Sequence, residues 1–268
     1  MNPSKSFLSA KAIRKTVLEI LKTSKASHLG SNMSVIEILM AVYSSLNTSL
    51  IKKNSLNRDR VIISKGHCAA ATYAILYHHN IIDRKTLKNF HLDNSLLAGH
   101  VSHSVKGVEH STGALGHGIA VAAGAALGLK AKKNNQTVFT LCGDGELQEG
   151  SVWETLLFCG HHRLNNLIIL IDYNKIGNIN LIKNVVSLEP IKKKFDSFNL
   201  NTKIVDGHNY KKIKLEILKA KKQSKTTVLI CNTVKGKDVP FAENKAIWAY
   251  KSLDQHNYDR AIKYLDKK

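Results

Sequence analysis

Val138-Phe139-Thr140-Leu141-Cys142-Gly143-Asp144-Gly145-Glu146 and Leu167-Ile168-Ile169-Leu170-Ile171-Asp172-Tyr173-Asn174 are the two stretches whose reading decides the fold. Each is an unbroken apolar run that ends at polar residues including an oxygen donor, and the chain between them is long enough for one helix. Buried parallel strands read as continuous apolar runs, and open α/β sheets take ligands at the C-terminal ends of their strands. The pattern places Asp144 and Asn174 at the ends of adjacent strands, where they could hold one hard cation such as Mg²⁺, with the backbone carbonyl of Ile176 as a third donor. Gly143 and Gly145 would let backbone N–H groups approach a phosphate, and a divalent ion would reconcile that anion with the acid between them.

Outward from this stretch, strands and helices alternate. Helical periodicity covers Phe7 to Thr23, and a Ser/Gly-rich loop follows over Ser24 to Asn32. Ser34 and Glu37 read as a capping box for a helix over Val35 to Leu46. Arg60 to Ser64 reads as a strand and Cys68 to His79 as an Ala-rich helix, and Asp83 caps a short helix ending near His91. Leu96 to Glu109 has little periodicity, and a loop that long in a compact domain usually has a task. Ala114 to Lys130 is a helix of small apolar residues, lean enough to pack closely on other backbone. Gly177 to Val186 is a loop and Glu189 to Phe198 a helix. Strands at Thr202–Val205 and Thr226–Asn232 bracket an amphipathic helix at Tyr210–Lys222, and Asn257 to Leu265 is a further helix. The expectation is an α/β fold: a doubly wound parallel sheet with helices on both faces, one domain over residues 1–268.

The chain has 268 residues, is 43% hydrophobic, and carries a formal net charge of +20, almost all from lysine, since it has only six arginines. The lysines are spread along the chain, and their short clusters lack the arginines and interleaved aromatics of a nucleic-acid surface. A lysine-rich solvated surface that attracts anionic metabolites is expected, with no nucleic-acid partner. No uncharged stretch is long enough to span a bilayer and no secretory leader is read, so no membrane association and a cytoplasmic location are expected. Cys68, Cys142, Cys159 and Cys231 have no metal-ligand or disulfide spacing and read as buried thiols.

Thirteen histidines are many for this length. The pairs His78-His79 and His161-His162 fall at helix ends, where a protonated imidazole suits the dipole. His28, His67 and His100 each stand beside a glycine in a loop or turn, and together suggest a polar pocket able to donate hydrogen bonds or move protons near neutral pH. Gly113-Ala114-Leu115-Gly116-His117-Gly118 does not follow an apolar strand and lacks dinucleotide-fingerprint spacing, so that reading is rejected.

Taken together, these blocks resemble the transketolases, and specifically the split type whose N-terminal half is a separate chain. The matching blocks are Ser27 to Met33, Asp59 to His67, Leu97 to His100, Gly107 to Gly116, Gly143 to Gly150 with Trp153-Glu154, Asp172 to Lys175, Asp206-Gly207-His208, and Thr233 to Asn244. The resemblance implies the diphosphate-binding domain of a thiamine-diphosphate enzyme. Mg²⁺ would be held by Asp144, Asn174 and the Ile176 carbonyl. Gly143, Gly145 and Glu146 would line the diphosphate side, with Gly113, Ala114 and Leu115 near the cofactor rings. His28, His67 and His100 would contact substrate, and His67 also the cofactor. It also implies transfer of a two-carbon ketol unit between sugar phosphates. Activity would depend on a separate C-terminal subunit carrying the pyrimidine-binding domain, in a dimer of heterodimers. Where the family has Trp-His, this chain has Trp248-Ala249. Val101, Leu29, His117 and Asp238 also depart from the pattern, which points away from ordinary pentose-phosphate substrates. The α subunit of a 2-oxoacid dehydrogenase is the nearest enzyme alternative, and a non-catalytic cofactor-binding or assembly subunit is the alternative of another class.

Overall fold

The computed structural model describes residues 9–268. In chain order the helices and strands are α1 (Ala10–Ser24), α2 (Leu29–Ser34), α3 (Ile36–Tyr43), α4 (Thr48–Lys52), β1 (Arg60–Ile63), α5 (Ala69–His78), α6 (Arg84–Lys88), α7 (Gly118–Ala131) and β2 (Val138–Gly143). They continue as α8 (Gly150–His162), β3 (Leu167–Tyr173), α9 (Ile182–Val185), α10 (Ile191–Ser197), β4 (Asn201–Asp206), α11 (Tyr210–Ala220), β5 (Thr227–Asn232) and α12 (Gln255–Lys267). The five strands form one parallel sheet in the order β1-β2-β3-β5-β4. Every residue of β2 and β3 is buried, which is why both read as continuous apolar runs instead of alternating ones.

Helices cover both faces. Alternate strand residues Phe139, Leu141, Ile168 and Leu170 face a core built with α1, α3, α5, α11 and α12. Val138, Cys142, Ile169 and Ile171 face a second core built with α7, α8 and α10. Adjacent strands β2 and β3 pair in register with Gly143 opposite Asp172, which sets the Asp144 and Asn174 ends side by side.

Several sequence expectations shift. Phe7 and Leu8 lie outside the described residues, and α1 begins behind Ser9, whose hydroxyl accepts from the Ala12 N–H at 3.1 Å. The expected loop over Ser24–Asn32 is helical from Leu29. Ser34 caps nothing: it ends α2, and its hydroxyl donates to the Asp172 carboxylate at 2.6 Å. Ser34 is itself helical and Val35 continues the right-handed backbone straight into α3, so no N-cap position exists there and the capping box fails. Glu37 instead accepts a bidentate pair from Arg14 at 2.6 and 3.0 Å. The small-residue helix starts at Gly118, not Ala114, because Gly116 sits at φ +75° and a Cβ at Gly118 would come within 2.6 Å of the Ser64 Cα. His78 and His79 do end α5, but burial lowers both pKa values, and His78 shares a hydrogen bond with Thr16, so a protonated pair at the helix dipole is not their role. All four cysteines are free and buried.

Candidate active site

A cavity of about 240 Å³ opens at the C-terminal ends of β2, β3 and β5. Asp144, Gly145, Asn174, Ile176, Lys65 and Lys235 are among its walls. Asp144 is held by two backbone donors, Gly145 N at 2.8 Å on one oxygen and Lys175 N on the other. Burial, then the nearby Asp172, pushes its pKa up to about 6, against the pull of Lys65 and those N–H groups. The Asn174 amide oxygen accepts from Ile176 N at 3.1 Å, which leaves a lone pair free. A carboxylate, an amide oxygen and a backbone carbonyl make an all-oxygen set of the kind a hard divalent ion takes. Such an ion would also compensate a buried carboxylate that is otherwise short of positive charge. Among the described residues, no group of three or more His, Cys, Asp or Glu side chains is arranged to hold a metal.

Behind Asp144 lies a polar hub that orients the donors. Asp172, with no exposure, accepts from Lys65, from Thr233, from Ser34 at 2.6 Å and from the Asn174 amide nitrogen at 3.1 Å. The last bond turns the Asn174 oxygen away from Asp172. Burial would raise the Asp172 pKa, but the Lys65 charge and the donated hydrogen bonds hold it below the usual carboxylate range. Burial would lower Lys65, and Asp172 outweighs it. Lys235, from the loop after β5, donates to the carbonyls of Ile176 at 3.0 Å and Gly177 at 2.9 Å.

Beside this cavity, His28, His67 and His100 line a second one of about 200 Å³. The His28 ring centroid lies 5.2 Å from that of His67 and 5.9 Å from that of His100. Asn32 ties two of them together: its amide nitrogen donates to the carbonyls of His28 (2.9 Å) and His67 (3.3 Å), and its oxygen accepts from Ala71 N. His28 itself is held left-handed at φ +66°, with its N–H on the Ala249 carbonyl. Backbone strain of this kind in a non-glycine residue survives where the surroundings over-determine it. Burial, then neighbouring His100 and lysines, lowers His28 to about 4. Burial, then Lys65, holds His67 well below the ordinary imidazole value, and burial with His91 lowers His100. All three imidazoles are therefore neutral at pH 7, each with one donor and one acceptor nitrogen. His91 joins this cavity wall and was not among the sequence candidates.

The remaining candidates divide. Leu115 lines the metal-side cavity, whereas Gly113 stands against the His100 ring, with 3.4 Å from its virtual Cβ to the imidazole. Ala114 is exposed. Glu146 borders the cavity, and its carboxylate accepts from Ser64 and from the backbone N–H groups of Gly116 (3.0 Å) and Gly143 (3.2 Å), which ties the Gly116 turn to the end of β2. The long segment before Glu109 is pinned by a bidentate pair from Arg58, 2.8 Å on each oxygen. The roles of Asp172, Lys65, Lys235 and Asn32 were missed from sequence. One signal pointed to the first two: an acid at the end of a wholly apolar strand needs a buried cation somewhere.

Comparison with known proteins agrees with this geometry. Residues 6–260 match the family model described as transketolase, thiamine diphosphate binding domain. The chain is 35% identical to an apulose-4-phosphate transketolase subunit from Actinobacillus succinogenes (strain ATCC 55618 / DSM 22257 / CCUG 43843 / 130Z), over 96% of this chain and 94% of that one. It is 32% identical to the 6-deoxy-6-sulfo-D-fructose transketolase subunit of Clostridium sp. (strain MSTE9), over 96% and 95%. Among solved structures, the transketolase of Campylobacter jejuni superposes with a TM-score of 0.86 at 28% identity, over 96% of this chain but only 42% of that one. With its parallel sheet, its cavity at the strand ends and these relatives, the chain belongs to the transketolase thiamine diphosphate binding domain family.

Proposed function

We propose that the chain is the diphosphate-binding subunit of a two-chain transketolase, a single domain that works with thiamine diphosphate and Mg²⁺. The reaction would move a two-carbon ketol unit from a ketose phosphate to an aldose or aldose phosphate. The observation that carries this reading is the junction of two cavities: oxygen donors Asp144, Asn174 and Ile176 in one, neutral His28, His67 and His100 in the other. Bound thiamine diphosphate would supply the nucleophilic carbon that accepts the ketol unit. The chain's own residues would do the rest. Asp144 and Asn174 would hold the ion, and Gly143 and Gly145 would leave room for the diphosphate beside it. The three imidazoles would bond sugar hydroxyls and pass protons, which neutral imidazole does well at pH 7.

The dependence on a second chain is supported by what the cavity mouth exposes. Leu115, Ile179 and Val185 line it yet stay solvent-exposed, Ile179 to 86%. Such apolar rims are suited to burial under a partner, here the separate C-terminal subunit, in a dimer of heterodimers. The relatives named for 6-deoxy-6-sulfo-D-fructose and apulose-4-phosphate favour a specialised sugar substrate. Sugar phosphates are confined by membranes, so the enzyme would act in the cytoplasm, consistent with the absence of a membrane-length apolar helix among the described residues. Titration calorimetry with thiamine diphosphate and Mg²⁺, with and without the co-expressed partner, tests the reading alongside turnover of ketose phosphates. Binding lost in Asp144→Ala and turnover only with the partner are expected. Pyruvate decarboxylation in place of ketol transfer, or no binding in either state, would overturn it.

A further inference from the structure

We propose that His91 is a specificity-determining residue: it closes the outer end of the histidine cavity, bonds the terminal oxygens of the sugar chain, and so selects substrates by the length of their tail. This rests on the reading above, in which that cavity takes a sugar phosphate.

The four imidazoles form a path from the junction of the two cavities to solvent. His67 lines both cavities, whereas His28, His91 and His100 line the second alone. The His28 ring centroid is 5.2 Å from that of His67 and 5.9 Å from that of His100. His91 depresses the pKa of His100 but is not among the main groups that depress His28 or His67, which places it beyond His100. Exposure follows the same order: His67 and His28 are half-buried, and His100 and His91 are exposed. A sugar whose reacting carbonyl lies at the junction runs its tail past His28 and His100 toward His91. Neutral hydroxyls suit the inner imidazoles, and a charged terminus, costly to bury, suits the exposed one.

The seat of His91 is made for an imidazole. The backbone of Gly99 is not left-handed, so conformation does not call for glycine there. Sterics do: a Cβ at Gly99 would lie 2.6 Å from His91 Cδ2 and 2.8 Å from Nε2. The space of the missing side chain is the space the ring fills. His91 is itself left-handed at φ +56°, a conformation held by its N–H on the Leu97 carbonyl at 2.8 Å. On its other side, buried Phe90 packs edge-on to Tyr73 with centroids 5.9 Å apart, and the Tyr73 hydroxyl donates to the His100 carbonyl at 3.3 Å. One scaffold thus fixes His91 and His100 together. The ring nitrogens remain available for a ligand. Among the described residues, His78, His103 and His208 spend a ring nitrogen on protein hydrogen bonds, and His91 spends neither.

The test uses the full chain with its co-expressed partner, loaded with thiamine diphosphate and Mg²⁺, and two ketoses. D-Fructose 6-phosphate ends in a phosphate four carbons beyond its carbonyl, whereas D-erythrulose ends two carbons beyond and carries no phosphate. His91→Asn tolerates the left-handed backbone and shortens the donor. Gly99→Ala keeps the imidazole and drives it from its seat. Each should raise KM for fructose 6-phosphate about tenfold while kcat holds, the effect of one lost bond to a charged group, and so lower the kcat/KM ratio of long to short ketose by the same factor. The double variant should lose no more than either single one. Apart from turnover, fructose 6-phosphate should protect His91 of the wild type from diethyl pyrocarbonate, read by peptide mass spectrometry, and erythrulose should not.

An unchanged ratio in both variants, or His91 labelled equally fast with and without fructose 6-phosphate, in a complex that turns over both ketoses, would overturn this proposal alone. Equal losses for both ketoses in variants with wild-type melting curves would also overturn it, because they would put His91 at the reacting end. So would a wild type that turns over erythrulose and not the phosphorylated sugar. A complex that turns over neither ketose would overturn the reading of the site, and this proposal with it.

Discussion

Asp172→Ala removes the acceptor on which four donors converge. Lys65, Ser34, Thr233 and Asn174 all donate to this carboxylate, and none of it is exposed. Truncation leaves the Lys65 ammonium, 3% exposed at its side chain, without a counter-charge. Breaking one partner of a buried ion pair costs about 3–5 kcal/mol, a large share of a typical domain's stability. For a domain of this size, each kcal/mol moves Tm by about 2–4 °C, so Tm should fall by about 6–20 °C. Urea unfolding followed by circular dichroism would read the loss as a lower midpoint with an unchanged slope. The double variant Lys65→Met/Asp172→Leu removes both charges and their desolvation cost together, so it should recover most of the loss and show strong coupling in a double-mutant cycle. A single-variant loss under about 1 kcal/mol, or additivity of the two substitutions, would refute the view that this pair is a coupled buried hub.

Two further outcomes follow from the titrating groups. Because Asp144 has its pKa raised to about 6, protons compete with the metal below that value. Affinity for Mn²⁺ should be flat above about pH 7 and fall about tenfold per unit below about pH 6, read by titrations across that range, and a flat profile down to about pH 5 would remove Asp144 from the ligand set. Glu37 has the opposite shift: burial would raise its pKa, but hydrogen bonds from His208 (3.0 Å) and Arg14 hold it below the ordinary value. Its contribution is complete above the unfolded carboxylate value and is lost as pH falls through the lower folded one. Glu37→Gln should therefore cost about 1–3 kcal/mol at pH 7, with the gap to wild type closing under acid, and a gap independent of pH would show that the loss is packing alone.

This same Glu37 shows where local reading stopped. Four residues of sequence made it half of a capping box with Ser34, yet it belongs to a chain that runs Arg14–Glu37–His208–Val234. Since Val234 N–H donates to His208 Nε2, the proton sits on Nδ1 and points at Glu37. That chain steadies the loop bearing Lys235, and accounts for the Asp206-Gly207-His208 block physically. By contrast, the strands β2 and β3 were legible to within a residue or two, because burial on both faces leaves an apolar run that needs no partner to be recognised. Asp144 and Asn174 were legible for the same reason: each follows such a run, and adjacent parallel strands bring their ends together.

Residue types at short spacing along the chain were enough to specify the sheet and the family, and to set Asp144 and Asn174 at neighbouring strand ends. Tertiary packing was needed to sort the polar groups that face the ligand from those that hold the others in place. Glu146 turns inward to Ser64 and Gly116, the Ser34 hydroxyl bonds Asp172, and Lys235 enters a cavity that opens at the ends of β2 and β3. Each of those choices is made by a buried charged group finding hydrogen-bond partners far along the chain, and the Ser34 and Asp172 that meet lie 138 residues apart. Spacing along the chain carries no record of such a meeting, because the energy that selects it exists only once the sheet has excluded water from both groups.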